Sequence, residues 1–181
     1  MKKNYIKNYL NVFSKKVENF NISEFNAAIL ILEQIKKSKK KVIIVGNGGS
    51  AAMASHVCVD LTKMCKIRAI NFNEADLLTC FSNDYGYENW VYRALSFHAD
   101  KGDLLIAISS SGKSKNIING INFARKNDCK IITLSGFSKK NQVRKLGDIN
   151  MWVDSNNYNI IEMTHNIWLL SIVDFLARSK F

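Results

Sequence analysis

Twice along this chain a run of branched apolar residues stops in a Gly- or Ser-rich loop and passes into a helical pattern. Lys41-Val42-Ile43-Ile44-Val45-Gly46 runs into Asn47-Gly48-Gly49-Ser50, with a helix predicted over Ala51–Met64. Asp103-Leu104-Leu105-Ile106-Ala107-Ile108 runs into Ser109-Ser110-Ser111-Gly112, with a helix predicted over Ser114–Asn127. A continuous apolar run without polar alternation is a strand covered on both faces, as in a parallel sheet between layers of helix. Lys130–Leu134, stopped by Ser135-Gly136, and Ile149–Val153 add two strands, and Ile67–Phe72 another near an edge.

Strands alternating with helices and no long linker predict an α/β fold, a doubly wound, flavodoxin-like parallel five-stranded sheet. Long helical segments flank it. Residues 4–38 read as helical, interrupted at Asn21-Ile22-Ser23, where Ser23 is the expected N-cap. Asn159–Arg178 is apolar nearly all round, as in a helix buried on several sides, and suggests a subunit interface. The 181 residues fit one domain, with 1–38 packing on it or on a neighbouring subunit. No signal-peptide core follows the basic N-terminus, and no apolar run is read as a membrane span, so a cytoplasmic protein is expected. Cys58, Cys65, Cys80 and Cys129 form no CxxC pair and are expected to be free thiols. The formal charge of +11 raises nucleic acid as a partner. The lysines are scattered, however, apart from those at 36–41, where they suit a helix C-terminus. An anionic small ligand accounts for some of the positive field equally well, and no nucleic-acid or membrane partner is expected.

Both loops open helices at the carboxyl ends of strands, where open α/β sheets bind ligands. A helix N-terminus offers free N–H groups to an anion, glycines admit close approach, and serine hydroxyls add donors. Two such loops in one small sheet point to a phosphate site. Nucleotide motifs come close and fail. Gly46-Asn47-Gly48-Gly49-Ser50-Ala51 matches G-x-G-x-x-A, yet no acidic residue ends the next strand. Gly112-Lys113-Ser114 resembles the end of a P-loop, but Ala107 stands where the upstream Gly is required. No nucleotide cofactor is expected.

These segments resemble a known family. Gly46–Ala52 with His56, then Ser82-Asn83-Asp84-Tyr85-Gly86-Tyr87-Glu88, then Ile108–Asn116 are similar to the sugar isomerase (SIS) fold, and most of all to the phosphoheptose isomerases. The resemblance implies an aldose–ketose isomerase acting on sedoheptulose 7-phosphate for surface polysaccharide synthesis. It implies that Ser109, Ser110, Ser111 and Ser114 hold phosphate, and that Asn47, Gly48, Gly49, Ser50, Asn83 and Asp84 contact the sugar. It also implies a homo-oligomer, with a tetramer favoured.

Such a reaction needs a base, an acid and stabilisation of an enediol oxyanion. His56 and Asp60 lie four apart on one helix and Glu162 and His165 three apart on another, so each pair shares a face. Facing each other, the four would suit zinc or another divalent metal, and the resemblance implies ligands on these two helices. Asp60, Glu162 and His165 are the catalytic candidates. Three positions depart from the family: Asp60 replaces a Glu, Glu162 replaces a Gln, and Leu170 replaces a catalytic His. The alternative is a non-catalytic SIS protein that binds a phosphosugar or a protein partner such as a replication initiator.

Overall fold

A computed structural model describes residues 2–178. The chain opens with α1 (Lys2–Glu18) and α2 (Ile22–Lys37), then alternates β1 (Lys41–Val45), α3 (Gly49–Lys63), β2 (Arg68–Ile70), α4 (Ala75–Tyr85), α5 (Trp90–His98), β3 (Leu104–Ser109), α6 (Lys115–Lys126), β4 (Lys130–Ser135), β5 (Ile149–Trp152) and α7 (Tyr158–Ala177). A short 3-10 turn at Val143–Lys145 precedes β5. All strand pairs are parallel, in the order β2-β1-β3-β4-β5. This is the doubly wound arrangement expected, with its switch point between β1 and β3.

The core forms two layers because strand side chains alternate. Val42, Ile44, Leu104, Ile106 and Ile108 pack with α2, α3 and α7, whereas Ile43, Val45, Leu105 and Ala107 pack with α5 and α6. The face of α7 carrying Ile161, Trp168, Leu169, Ile172 and Val173 lies in the first layer. By length and composition α7 could cross a membrane, contrary to the sequence reading, yet that face is spent on the sheet.

Local corrections are few. The N-cap of α2 is Asn21, whose side chain accepts from the Ser23 amide. The edge strand β2 is shorter than expected, and α3 already begins at Gly49. The Ser82-Asn83-Asp84 segment, given no element in the sequence reading, lies in the last turn of α4, stopped by Gly86 at φ +82°. The four cysteines are free.

At the pole away from the strand ends that carry the loops, buried Asp103 ties β1 to the entry of β3. Its carboxylate accepts from the Lys41 and Asp100 amides at 3.1 and 2.8 Å and pairs with Lys41 Nζ at 2.6 Å. Asp103→Ala leaves Lys41 Nζ paired with Asp100 at 2.6 Å but strands the Lys41 and Asp100 amides without their acceptor. Asp103→Ala is therefore expected to lower unfolding free energy by about 3 kcal/mol, read by urea denaturation.

Candidate functional site

Parallel pairing of β1 with β3 sets their two following loops side by side. After β1, Gly48 takes φ +55°, a conformation that disfavours side chains, and α3 starts at once. After β3, Ser109 to Ser114 form the second loop, and Gly112 takes φ +66°. The N-cap Ser114 makes no side-chain capping bond and the first-turn amides of α6 stay free for a ligand, whereas in α3 the Ser50 and Ala51 amides bond back to Asn47 O and Gly48 O and the Gly49 amide is left open. The loops touch: Ser50 Oγ lies 3.5 Å from Ser110 Oγ. Ser109 Oγ donates to Ser114 Oγ at 3.1 Å, which fixes the width of the serine loop.

A third loop braces the second. The Gly136 amide donates to Ser110 O at 2.8 Å and the Val143 amide to Gly112 O at 3.1 Å. Buried Asn141 donates to Ser135 Oγ, Gly136 O and Ser138 O, and its Oδ1 accepts from the Arg144 amide. A side chain at position 112 would run into Asn141.

Glu162, in the second turn of α7, reaches this crevice. Ser110 Oγ donates to its Oε1 at 3.5 Å, and its carboxylate lies against Gly49 so closely that a Cβ there would collide with it. Burial pushes its carboxyl above the ordinary 4.5, and the Ser110 bond opposes this. A carboxylate beside the positive end of α3 and two serine hydroxyls can take a proton from a bound ligand.

His165 does something different from what the sequence suggested. It is 0% exposed, its Nε2 donates to the Ser135 carbonyl at 3.1 Å, and its Nδ1 has no partner. Desolvation pushes its pKa down to about 4, against the smaller effect of that bond. It is a neutral brace for the end of β4, and its reading as proton shuttle and metal ligand is corrected.

The expected metal set does not assemble. His56 and Asp60 pair with each other at 3.2 Å, about 10 and 16 Å along α3 from Gly49 at 1.5 Å per residue. Among the described residues no three His, Cys, Asp or Glu side chains converge to hold a metal ion. The donors do not fit zinc, and Asp60 is separated from Glu162. Leu170 is half-buried against the first core layer.

Of the sugar candidates, Asn47, Gly48, Gly49 and Ser50 line the crevice. Asn83 and Asp84 are exposed on α4 and bond to each other at 2.9 Å. Sequence reasoning missed Tyr87 and Asn116, which hold Asn47. Tyr87 and Asn116 stood inside the quoted motifs, but nothing local marks them as partners.

The comparisons with known proteins agree with this geometry. The family described as "SIS domain" matches residues 4–136. The chain is 36% identical over 174 residues to a phosphoheptose isomerase of Aliarcobacter butzleri, covering 91% of each chain. It is 35% identical over 159 residues to one of Nitratiruptor sp., covering 84% of each. Among solved structures, phosphoheptose isomerases from Neisseria gonorrhoeae and Francisella tularensis share the fold, with TM-scores of 0.89 and 0.90 at 24% and 22% identity. They are covered over 98% and 100% of their length, and this chain over 97% and 99%. The chain belongs to the SIS domain family and, within it, to the phosphoheptose isomerases.

The burial of His165 has a pH signature. Its folded pKa lies near 4, below the ordinary 6.5, so between these values the unfolded chain binds more protons. Folding stability should therefore rise with pH across that window, by on the order of 3 kcal/mol for this group. Chemical denaturation of wild type and His165→Gln at pH 4.5 and 7.0 checks this. The variant should show a shallower rise.

Proposed function

We propose that this protein interconverts a ketose phosphate and an aldose phosphate through an enediol, with sedoheptulose 7-phosphate and a heptose 7-phosphate as the pair. The observation that carries the reading is the Glu162 carboxylate against Gly49, at the switch-point crevice between two open helix N-termini. The phosphoheptose isomerase relatives supply the substrate class.

The serine loop and the α6 N-terminus take the phosphate, with Ser109, Ser110, Ser111 and Ser114 as hydroxyl donors. Glu162 removes a proton from the carbon bearing the hydroxyl. The two electrons of that C–H bond form the enediol double bond, and charge collects on the former carbonyl oxygen. The Ser50 hydroxyl and the Gly49 amide stabilise that oxygen. Glu162 then returns the proton to the adjacent carbon, and the hydroxyl proton crosses from one oxygen to the other. Burial, which raises the carboxyl, makes its conjugate base stronger than a solvated one. This chain's own residues carry each step; among the described residues no three His, Cys, Asp or Glu side chains converge to hold a metal ion.

The physiological setting we propose is the cytoplasm, with the product entering surface polysaccharide. A homo-oligomer, with a tetramer favoured, fits the surface of α1. That helix has no buried residue and exposes Tyr5, Ile6, Leu10 and Val12.

Purified protein incubated with sedoheptulose 7-phosphate should form an aldoheptose phosphate. Glu162→Gln should lower kcat by about 10³-fold without weakening inorganic phosphate binding. In wild type, kcat/KM should fall on the acid side with an apparent pKa above 4.5. Full turnover by Glu162→Gln would remove Glu162 from the reaction. Phosphosugar binding without turnover of any ketose phosphate would favour the non-catalytic reading.

A further inference from the structure

We infer that Tyr87 and Asn116 are positioning residues that fix the Asn47 amide with a single N–H aimed at the sugar, so that the site selects an oxygen acceptor there. This rests on the sugar-phosphate reading and deepens it.

An asparagine side chain has two acceptor lone pairs and two N–H donors. Asn47 Oδ1 accepts from Asn116 Nδ2 at 2.8 Å and from the Tyr87 hydroxyl at 3.1 Å, which fills both lone pairs. Asn47 Nδ2 donates to Asn116 Oδ1 at 3.1 Å, which uses one N–H. One N–H remains. Turning the amide over would set N–H against N–H at a buried partner, since Asn116 is 2% exposed, and an unmade buried bond is costly.

The frame around this pair is built from α6, the helix that the serine loop opens. Asn116 lies in its first turn. One turn later, Asn119 donates to Glu88 O at 2.9 Å and so holds the turn that carries Tyr87. That turn is also closed by Asn89 donating to Tyr85 O at 2.9 Å. Tyr87 is 53% exposed, so core packing does not explain its place, and its hydroxyl is committed to Asn47. One helix thus sets the serine loop and Asn47 in a fixed relation. An N–H donor beside an oxygen that gains charge in the enediol strengthens as the reaction proceeds.

The test compares Tyr87→Phe, Asn116→Asp and Asn47→Ala, alone and as the Tyr87→Phe/Asn47→Ala pair. Two probes are used for binding, inorganic phosphate and glucitol 6-phosphate, an open-chain phosphosugar that cannot isomerise. Melting temperature reports folding. Tyr87→Phe should weaken glucitol phosphate binding and kcat/KM by roughly three- to tenfold and leave inorganic phosphate within twofold. In the Asn47→Ala background the Tyr87→Phe effect should vanish, because Tyr87 acts only through Asn47. Asn116→Asp, which has no donor, should set an oxygen against Asn47 Oδ1 and cost more than Tyr87→Phe in glucitol phosphate binding. If it fails to fold, the surface variant Tyr87→Phe still decides. Equal loss for both probes, or an unchanged Tyr87→Phe effect without Asn47, overturns the inference. Coupling in binding with no wild-type turnover overturns the isomerase reading and leaves this one standing. Wild type that binds neither probe overturns both.

Discussion

The parallel pairing of β1 with β3 is the constraint on which the rest depends. Val42 to Val45 register against Leu104 to Ala107, and both strands are buried on both faces. Each strand must then leave the sheet at the same pole. Chain connectivity sends the following helices to opposite faces, α3 to one and α6 to the other. Two helix N-termini are left beside one crevice, with the α6 first-turn amides and the Gly49 amide of α3 free of backbone partners. An anion-binding site is thus a consequence of the topology before any catalytic side chain is considered. The glycines and serines there do not create the site; they keep it open to backbone and hydroxyl donors.

Burial then decides which titratable groups can do chemistry. His165 and Glu162 lie less than one turn apart on α7, yet their surroundings push them to opposite uses. His165 faces the sheet among Ile161, Trp168, Leu169 and Ile172 and loses its charge to desolvation. Glu162 is rotated away from that stripe and meets Gly49, where a missing side chain makes room for a carboxylate. The same physical effect raises one group and lowers the other, because it always disfavours the charged form. The imidazole becomes scaffold, and the carboxylate becomes the stronger base.

Most of the fold was legible because continuous branched apolar runs are unambiguous in a chain of this length. Gly46-Asn47-Gly48-Gly49 and Ser109–Gly112 marked the two strand-to-helix loops that the structure sets side by side. α4 was less legible, since Ser82-Asn83-Asp84 are residues that also make turns, and tertiary packing of Leu77, Leu78 and Phe81 overrides that preference. The fate of His165 could have been read: it sits four residues after Ile161 and three, four and seven before Trp168, Leu169 and Ile172. A histidine centred on an apolar helical stripe faces the core. The i,i+3 spacing to Glu162 drew attention to a shared face that the buried stripe divides. The Asn47–Asn116 pair spans 69 positions, and no local pattern announces a contact of that range.

The replacement of the family's histidine by Leu170 looks less severe in this light. Leu170 packs half-buried against the α2, α3 and α7 layer, so an apolar side chain is suited to its place. An enediol reaction can run with one carboxylate that takes and returns the same proton, provided the oxygens are stabilised by groups that need not titrate. The Ser50 hydroxyl, the Gly49 amide and a fixed Asn47 N–H are such groups. They depend on orientation instead of charge, and orientation is what the Asn116, Asn119 and Asn141 bonds supply. In the mechanism we propose, the polar network behind the loops carries the demand that the family places on a second titrating residue.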